Sequence, residues 1–301
     1  MTKYLKRNCP ACGSNDRKSE IASDRKAENL SLDELRPFWS GLFKEKVFFT
    51  YDRCGDCGLL YAPTFFDEAQ LTELYSAMAP NMDVVPTTAI EATQRGYFEE
   101  ATKDLAVQGS YLEVGPDVGH IVRMAATHGG FDHFWLFEPN RAVHAELEAA
   151  TGKFPRTILS EMTDLSAVPA ESVSLAVMIH VLDHLLDPLS MLKQIREKLR
   201  PGGRIAIVTH NEHSILRTLM RVRFPPFCLQ HPELYNPRSI TRLLESAGYR
   251  AVEVSRSKNY FPVAFMVRQA LYTAGLKVDA SVFPNKVLGL RLGNILTTAE
   301  R

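Results

Sequence analysis

Four of the five cysteines fall into two close pairs, Cys9 and Cys12 in NCPACGS and Cys54 and Cys57 in DRCGDCGLLY. Each pair has the C-x-x-C spacing, with Gly13 or Gly58 straight after it. A glycine there lets the main chain wrap a metal and turn its N–H groups toward the sulfurs. Two such knuckles offer four thiolates, a closed tetrahedral set that predicts a structural Zn2+ site at Cys9, Cys12, Cys54 and Cys57. Disulfides are disfavoured in a reducing compartment, and a redox C-x-x-C would leave the second copy unexplained. Cys228 stands apart and is expected to be a small buried hydrophobe. The other reactive side chains are imidazoles: His180, His184, His210, His213 and His231. Imidazole exchanges a proton near neutral pH, so each is a candidate general base. A third set is acidic, namely Glu113, Glu138 and Glu161.

These groups need a scaffold, and the stretch over residues 111–120, YLEVGPDVGH, supplies its first part. Apolar residues surround Glu113, glycines free the backbone at Gly115 and Gly119, and a helix-like run follows. That is a strand, a tight turn and a helix N-terminus, which brings main chain close to a nucleotide-like ligand. From there strands alternate with amphipathic helices. HFWLFEP, RTILS, SLAVMIH, GRIAIVTH and YRAVEVS read as strands, and NILTTAER as the closing one. The pattern predicts an α/β fold, a doubly wound parallel sheet of seven strands covered on both faces. Glu138 ends the second strand about 20 residues past the turn, where a carboxylate accepts both hydroxyls of a ribose. With Glu113 and Glu161 it forms an acidic crevice that would repel a pyrophosphate. A cationic, phosphate-free nucleoside fits better, and S-adenosylmethionine is such a molecule. The candidate histidines fall at strand C-terminal ends or in the loops beyond, where ligands of open α/β sheets bind.

Composition narrows the choice of partners. Lys plus Arg and Asp plus Glu number 35 each in 301 residues, so the formal net charge is +0. That balance argues against a broad nucleic-acid footprint. The N-terminus has no apolar run behind its basic residues, so a cytoplasmic location is expected. The most apolar late stretch, from Phe261, is broken by Arg268 and Gln269, and no transmembrane segment is predicted.

Over residues 102–301 the chain resembles class I S-adenosylmethionine-dependent methyltransferases, a Rossmann-like fold. EVGPDVG resembles that family's first motif, LFEPN its ribose-binding acid, HVLDHLLDP the segment after the fourth strand, and KLRPGG the turn before the fifth. The resemblance implies cofactor contacts at Glu113, Gly115, Asp117, Gly119, Glu138, Pro139 and His180, with adenine at Glu161 and Met162. Asp117 departs from the pattern, since the family usually has a glycine there. It either tolerates the turn and meets the cofactor's ammonium, or crowds the site and leaves a non-catalytic binding protein. CPACGS, a long gap and CGDCGLLYAPTFFDEAQLTELY resemble the zinc-binding region of bacterial sugar C-methyltransferases and related glycan and natural-product enzymes. In those a Glu-His pair follows the fifth strand and its His is the general base. Here Gln230 and His231 take that place, so the base matches and the acid does not.

Three parts are expected: a zinc ribbon over residues 1–66, a helical linker or lid over 67–108, and the catalytic domain over 109–301. That last part carries a helical insertion at about residues 258–290. The ribbon is expected to depend on metal, because so short a segment has little core. Methyl transfer needs the acceptor held near attack distance and its proton removed. His231 leads as catalytic base, followed by His184 and His213. The expected acceptor is a sugar, a glycan precursor or a secondary metabolite, including nucleotide-linked and lipid-linked forms, methylated on oxygen or carbon. The alternative is an RNA methyltransferase using the ribbon to bind RNA. Arg217, Arg221 and Arg223 read as a solvated helix face or a phosphate clamp. The apolar helix over 262–276 reads as packing, a substrate lid, a homodimer contact or a membrane-surface element.

Overall fold

A computed structural model describes residues 4–39, 45–76, 85–273 and 286–301. The N-terminal region contributes β1 (Arg17–Ile21), β2 (Tyr51–Cys54) and β3 (Leu60–Tyr61). Helix α1 (Glu68–Ser76) opens where Asp67 Oδ1 accepts the Gln70 N–H at 2.9 Å, and α2 (Thr87–Thr102) leads into the main sheet. There follow β4 (Gly109–Val114), α3 (His120–His128), β5 (Phe131–Phe137), α4 (His144–Thr151), β6 (Arg156–Leu159) and β7 (Val173–Ile179). Helix α5 (Pro188–Lys198) starts on an Asp187 cap with Pro in its first turn, and β8 (Leu199–His210) follows. After α6 (Ile215–Met220) and β9 (Glu233–Leu234), Asn236 and Ser239 form the capping box of α7 (Pro237–Ser246). The chain then runs through β10 (Arg250–Arg256), β11 (Asn259–Pro262), α8 (Val263–Thr273), β12 (Val287–Leu290) and β13 (Asn294–Glu300).

The seven-stranded sheet has the order β6-β5-β4-β7-β8-β13-β10. Five neighbouring strands, β6 through β8, pair in parallel, and the chain order reverses between β4 and β7. That reversal opens a crevice at the strand C-terminal ends. The sheet is mixed, not purely parallel as the strand pattern suggested, because β13 is antiparallel to both neighbours. The cause is local. The β11-α8-β12 excursion leaves and rejoins the sheet at one end, so the chain must run back through β13. Strands β11 and β12 pair with each other, and the excursion is tied to α2 by Tyr260 N–H to Thr93 Oγ1 and Asn259 Nδ2 to the Tyr97 hydroxyl, both at 2.8 Å. The apolar helix expected over 262–276 is thus flanked by a two-stranded hairpin; its last three residues lie outside the described ones.

The N-terminal region differs from its expected plan in two ways. Its sheet has the order β9-β3-β2-β1, so a strand from residues 233–234 completes it. It also owns a substantial core. Trp39, Phe48, Phe49, Tyr51, Phe65, Phe66 and Phe227 pack into one cluster, and a fully buried Phe contributes about 1.5–3 kcal/mol. Metal is therefore not its only source of order. The sequence hid this because the aromatics are dispersed and Phe227 arrives from far along the chain. Arg7 fastens the two halves, donating to Glu233 Oε2 and to the Pro232 carbonyl, each at 2.7 Å.

Candidate active site and four-thiol cluster

The glycine turn after β4 is built by backbone geometry. Gly115 has φ +70° and Gly119 φ +75°; a Cβ at either would come within 2.5 Å of Val181 Cγ2 or 2.9 Å of Leu147 Cδ2. Asp117 also adopts a left-handed φ of +50°, a conformation that aspartate reaches more readily than most residues. Its N–H donates to Glu138 Oε2 at 2.9 Å, and the Asn140 N–H donates to Oε1 at 2.8 Å. Glu138 therefore staples the turn to the end of β5, and each of its oxygens keeps acceptor capacity.

The three acids do not ring the crevice equally. Glu113 is buried under the turn, accepts the Tyr111 hydroxyl at 2.5 Å, and is pushed up to about 8 by burial. Glu161 is exposed and turns its Oε1 to the Thr163 N–H and hydroxyl. Met162 is half-buried against the main core, and Pro139 is exposed beside Glu138. The alternation of strands could locate these acids but not their depth, which depends on neighbours across the sheet.

Four histidines converge at the crevice end of β7 and β8. The ring centroids of His180 and His210 lie 4.6 Å apart, those of His210 and His231 4.8 Å, and those of His231 and His184 4.6 Å. Asp183 is fully buried beneath them, with its Oδ2 at 2.5 Å from His210 Nδ1. The cap of the following helix is Asp187, whose side chain accepts the Ser190 N–H. Burial pushes His180 and His184 down to about 3. His184 Nδ1 meets the Tyr75 hydroxyl at 2.9 Å.

His231 is 7% exposed. Its Nδ1 lies 2.7 Å from the Pro226 carbonyl and 3.3 Å from Cys228 Sγ. Burial opposes its charged form, but the adjacent Cys228 sulfur outweighs that and holds it at about 9. Cys228 is buried as expected, yet it is also a polar neighbour of this ring. Only the three-residue spacing of CLQH signalled that contact. Gln230 turns away and donates to the Trp39 carbonyl at 2.9 Å. His213 has a side chain 58% exposed and faces Glu212 Oε1 at 3.2 Å. Of the basic run, Arg217 lies over the Phe227 ring at 5.0 Å, whereas Arg221 and Arg223 are exposed.

Away from the histidines, the four knuckle sulfurs lie within 4.8 Å of one another. Cys9 and Cys57 are separated by 3.4 Å, and Cys12 and Cys54 by 3.6 Å. A disulfide needs about 2.05 Å, whereas sulfurs about 2.3 Å from a tetrahedral ion sit roughly 3.8 Å apart. The donor set therefore fits a thiophilic divalent metal. The close contact with Cys9 pulls Cys57 down to about 5 and pushes Cys9 up in return.

A family model described as a methyltransferase domain matches residues 89–254, more than half of the chain. The chain belongs to that family and is an S-adenosylmethionine-dependent methyltransferase. No curated protein matches it. Among solved structures it is similar to a chain of the Haloferax volcanii complex between the Trm112 methyltransferase activator and a methyltransferase. That match has 14% identity and a TM-score of 0.51, and covers 71% of this chain and 93% of the other. It is also similar to a SAM-dependent methyltransferase of Archaeoglobus fulgidus, at 16% identity and a TM-score of 0.48, over 78% of this chain and all of the other. At such identities the likeness shows the fold alone. Among the described residues no helix is long and apolar enough to cross a membrane.

Proposed function

We propose that the protein methylates an oxygen or carbon of a small hydroxylated acceptor, a sugar, glycan precursor or secondary metabolite, with His231 as general base and zinc in the four-thiol cluster. The observation that carries this reading is His231 itself, buried among three further imidazoles at the crevice end of the sheet. If its Nδ1–H is spent on the Pro226 carbonyl, Nε2 is left as a proton acceptor. Its raised proton affinity strengthens the pull on the acceptor proton and lowers the fraction of free base at neutral pH.

When bound, S-adenosylmethionine supplies an electrophilic methyl group on a sulfonium. His231 Nε2 would take the acceptor proton as the acceptor atom is methylated. Glu138 would hold the ribose hydroxyls through the acceptor capacity left after its two backbone contacts. Asp117 would offer its carboxylate to the ammonium end. Arg221 and Arg223 would suit the phosphates of a nucleotide-linked or lipid-linked acceptor.

Glu138→Ala is expected to weaken cofactor binding by about 1–3 kcal/mol for lost charged hydrogen bonds. Calorimetry with S-adenosylmethionine checks it, and unchanged affinity would remove the ribose role. For the acceptor, a labelled-methyl transfer screen should give signal on nucleotide sugars or small hydroxylated metabolites. Signal on structured RNA alone would overturn the small-molecule reading.

A further inference from the structure

We propose that His180, Asp183 and His210 form a second metal site, separate from the four thiols, for a divalent transition ion of the zinc or iron(II) class. Each residue offers one ligand atom, and the three atoms lie within 4.8 Å of one another. His180 directly follows β7 and His210 ends β8, two paired central strands, while Asp183 sits on the 3-10 turn Leu182–His184 just beyond β7. Two imidazoles and one carboxylate form a borderline donor set that leaves coordination positions open, the pattern of reactive metal centres.

The buried hydrogen bonding supports the assignment independently. Asp183 is fully buried, yet among the described residues its Oδ1 has no hydrogen-bond partner, and the buried His180 Nδ1 has none either. Orphaned polar atoms of this kind are rare and call for an unseen partner. His180 is also held at φ +53°, with its N–H given to the Val208 carbonyl, and backbone strain of this type collects at functional sites. Its Nε2 lies 3.2 Å from the Asn294 amide. The facing atom is the amide nitrogen Nδ2, and Nδ1 is the ring nitrogen left without a partner among the described residues. The short contact between Asp183 and His210 holds the place of the ion. Metal uptake would replace it with two bonds to the ion.

His231 borders this group through His210. An acceptor oxygen bound at an open metal position would therefore lose its proton beside the proposed base. That last role rests on the methyl-transfer reading; the metal site does not.

The test is a cobalt(II) titration of chelator-treated full-length protein without cofactor or acceptor, followed by visible absorption and metal analysis. Two equivalents per chain are expected. One should carry thiolate-to-cobalt charge transfer, and the other only the weaker bands of nitrogen and oxygen ligands. Asp183→Asn and the double variant His180→Ala/His210→Ala should weaken the second equivalent at least tenfold and leave the first, which also reports that each variant is folded. Uptake of a single equivalent by the wild type, or a second one that survives both variants, would overturn the proposal. Loss of methyl transfer with two equivalents bound would instead count against the catalytic reading.

Discussion

On the proposed zinc assignment, Cys57→Ser is expected to strip the metal from the N-terminal region and to lower the melting temperature by on the order of 10 °C. The size follows from linkage: metal held by four thiolates contributes about 10–16 kcal/mol of binding free energy, much of which appears as folding free energy. The aromatic cluster around Trp39 and Phe66 retains part of the structure without metal, so the visible loss should be smaller. A deficit of about 6 kcal/mol already shifts the midpoint by roughly 10 °C at this chain length. The damage should also spread. Cys9, Cys54 and Cys57 pack in the same core as Leu112, Met178 and Ile207 of the main sheet, and β9 crosses from one half to the other. Metal analysis with calorimetric melting decides the matter. Wild-type protein purified without zinc, or a variant that melts at the wild-type temperature, would remove the metal from the account of stability. Cys228→Ser should leave the zinc content at the wild-type level, because Cys228 faces His231 and not the cluster.

What the sequence disclosed and what it concealed divide along the range of the interactions. The strands, the glycine turn, the Asp187 and Asn236 caps and the paired knuckles are local, each legible from residues a few positions apart. Glu138 could be placed at the end of its strand because its spacing from the turn is a property of one βαβ unit. Its pairing with the Asp117 N–H could not, since that depends on the left-handed φ at Asp117. The direction of β13 was hidden because the excursion before it has no periodic signal. The histidine group shows the same limit more sharply. His180 and His210 lie 30 residues apart in sequence but 4.6 Å apart between rings, and no local pattern signals that Asp183 is buried against His210. His213, a near neighbour of His210 in sequence, instead points toward Glu212 and solvent.

His231→Ala is expected to lower turnover about 10²–10⁴-fold, the usual contribution of a positioned general base, while cofactor affinity stays within a few-fold of wild type. The separation follows from position, since its ring lies against Pro226, Cys228, His184 and His210 and none of these belongs to the glycine turn. The variant should fold, because the one long-range hydrogen bond of residue 231 that holds the N-terminal region, from the Tyr51 hydroxyl at 2.6 Å, ends on its backbone carbonyl and survives truncation. His231→Asn sharpens the result: its amide nitrogen sits where Nδ1 does and can still donate to the Pro226 carbonyl but cannot take up a proton, so a merely structural imidazole would be rescued and a base would not. His213→Ala serves as the control and should leave the rate near wild type. Kinetics on the acceptor found by the labelled-methyl screen, with cofactor binding measured separately, distinguish the outcomes. An unimpaired His231→Ala enzyme would pass the proton-accepting role to His184, one of the two imidazoles against that ring.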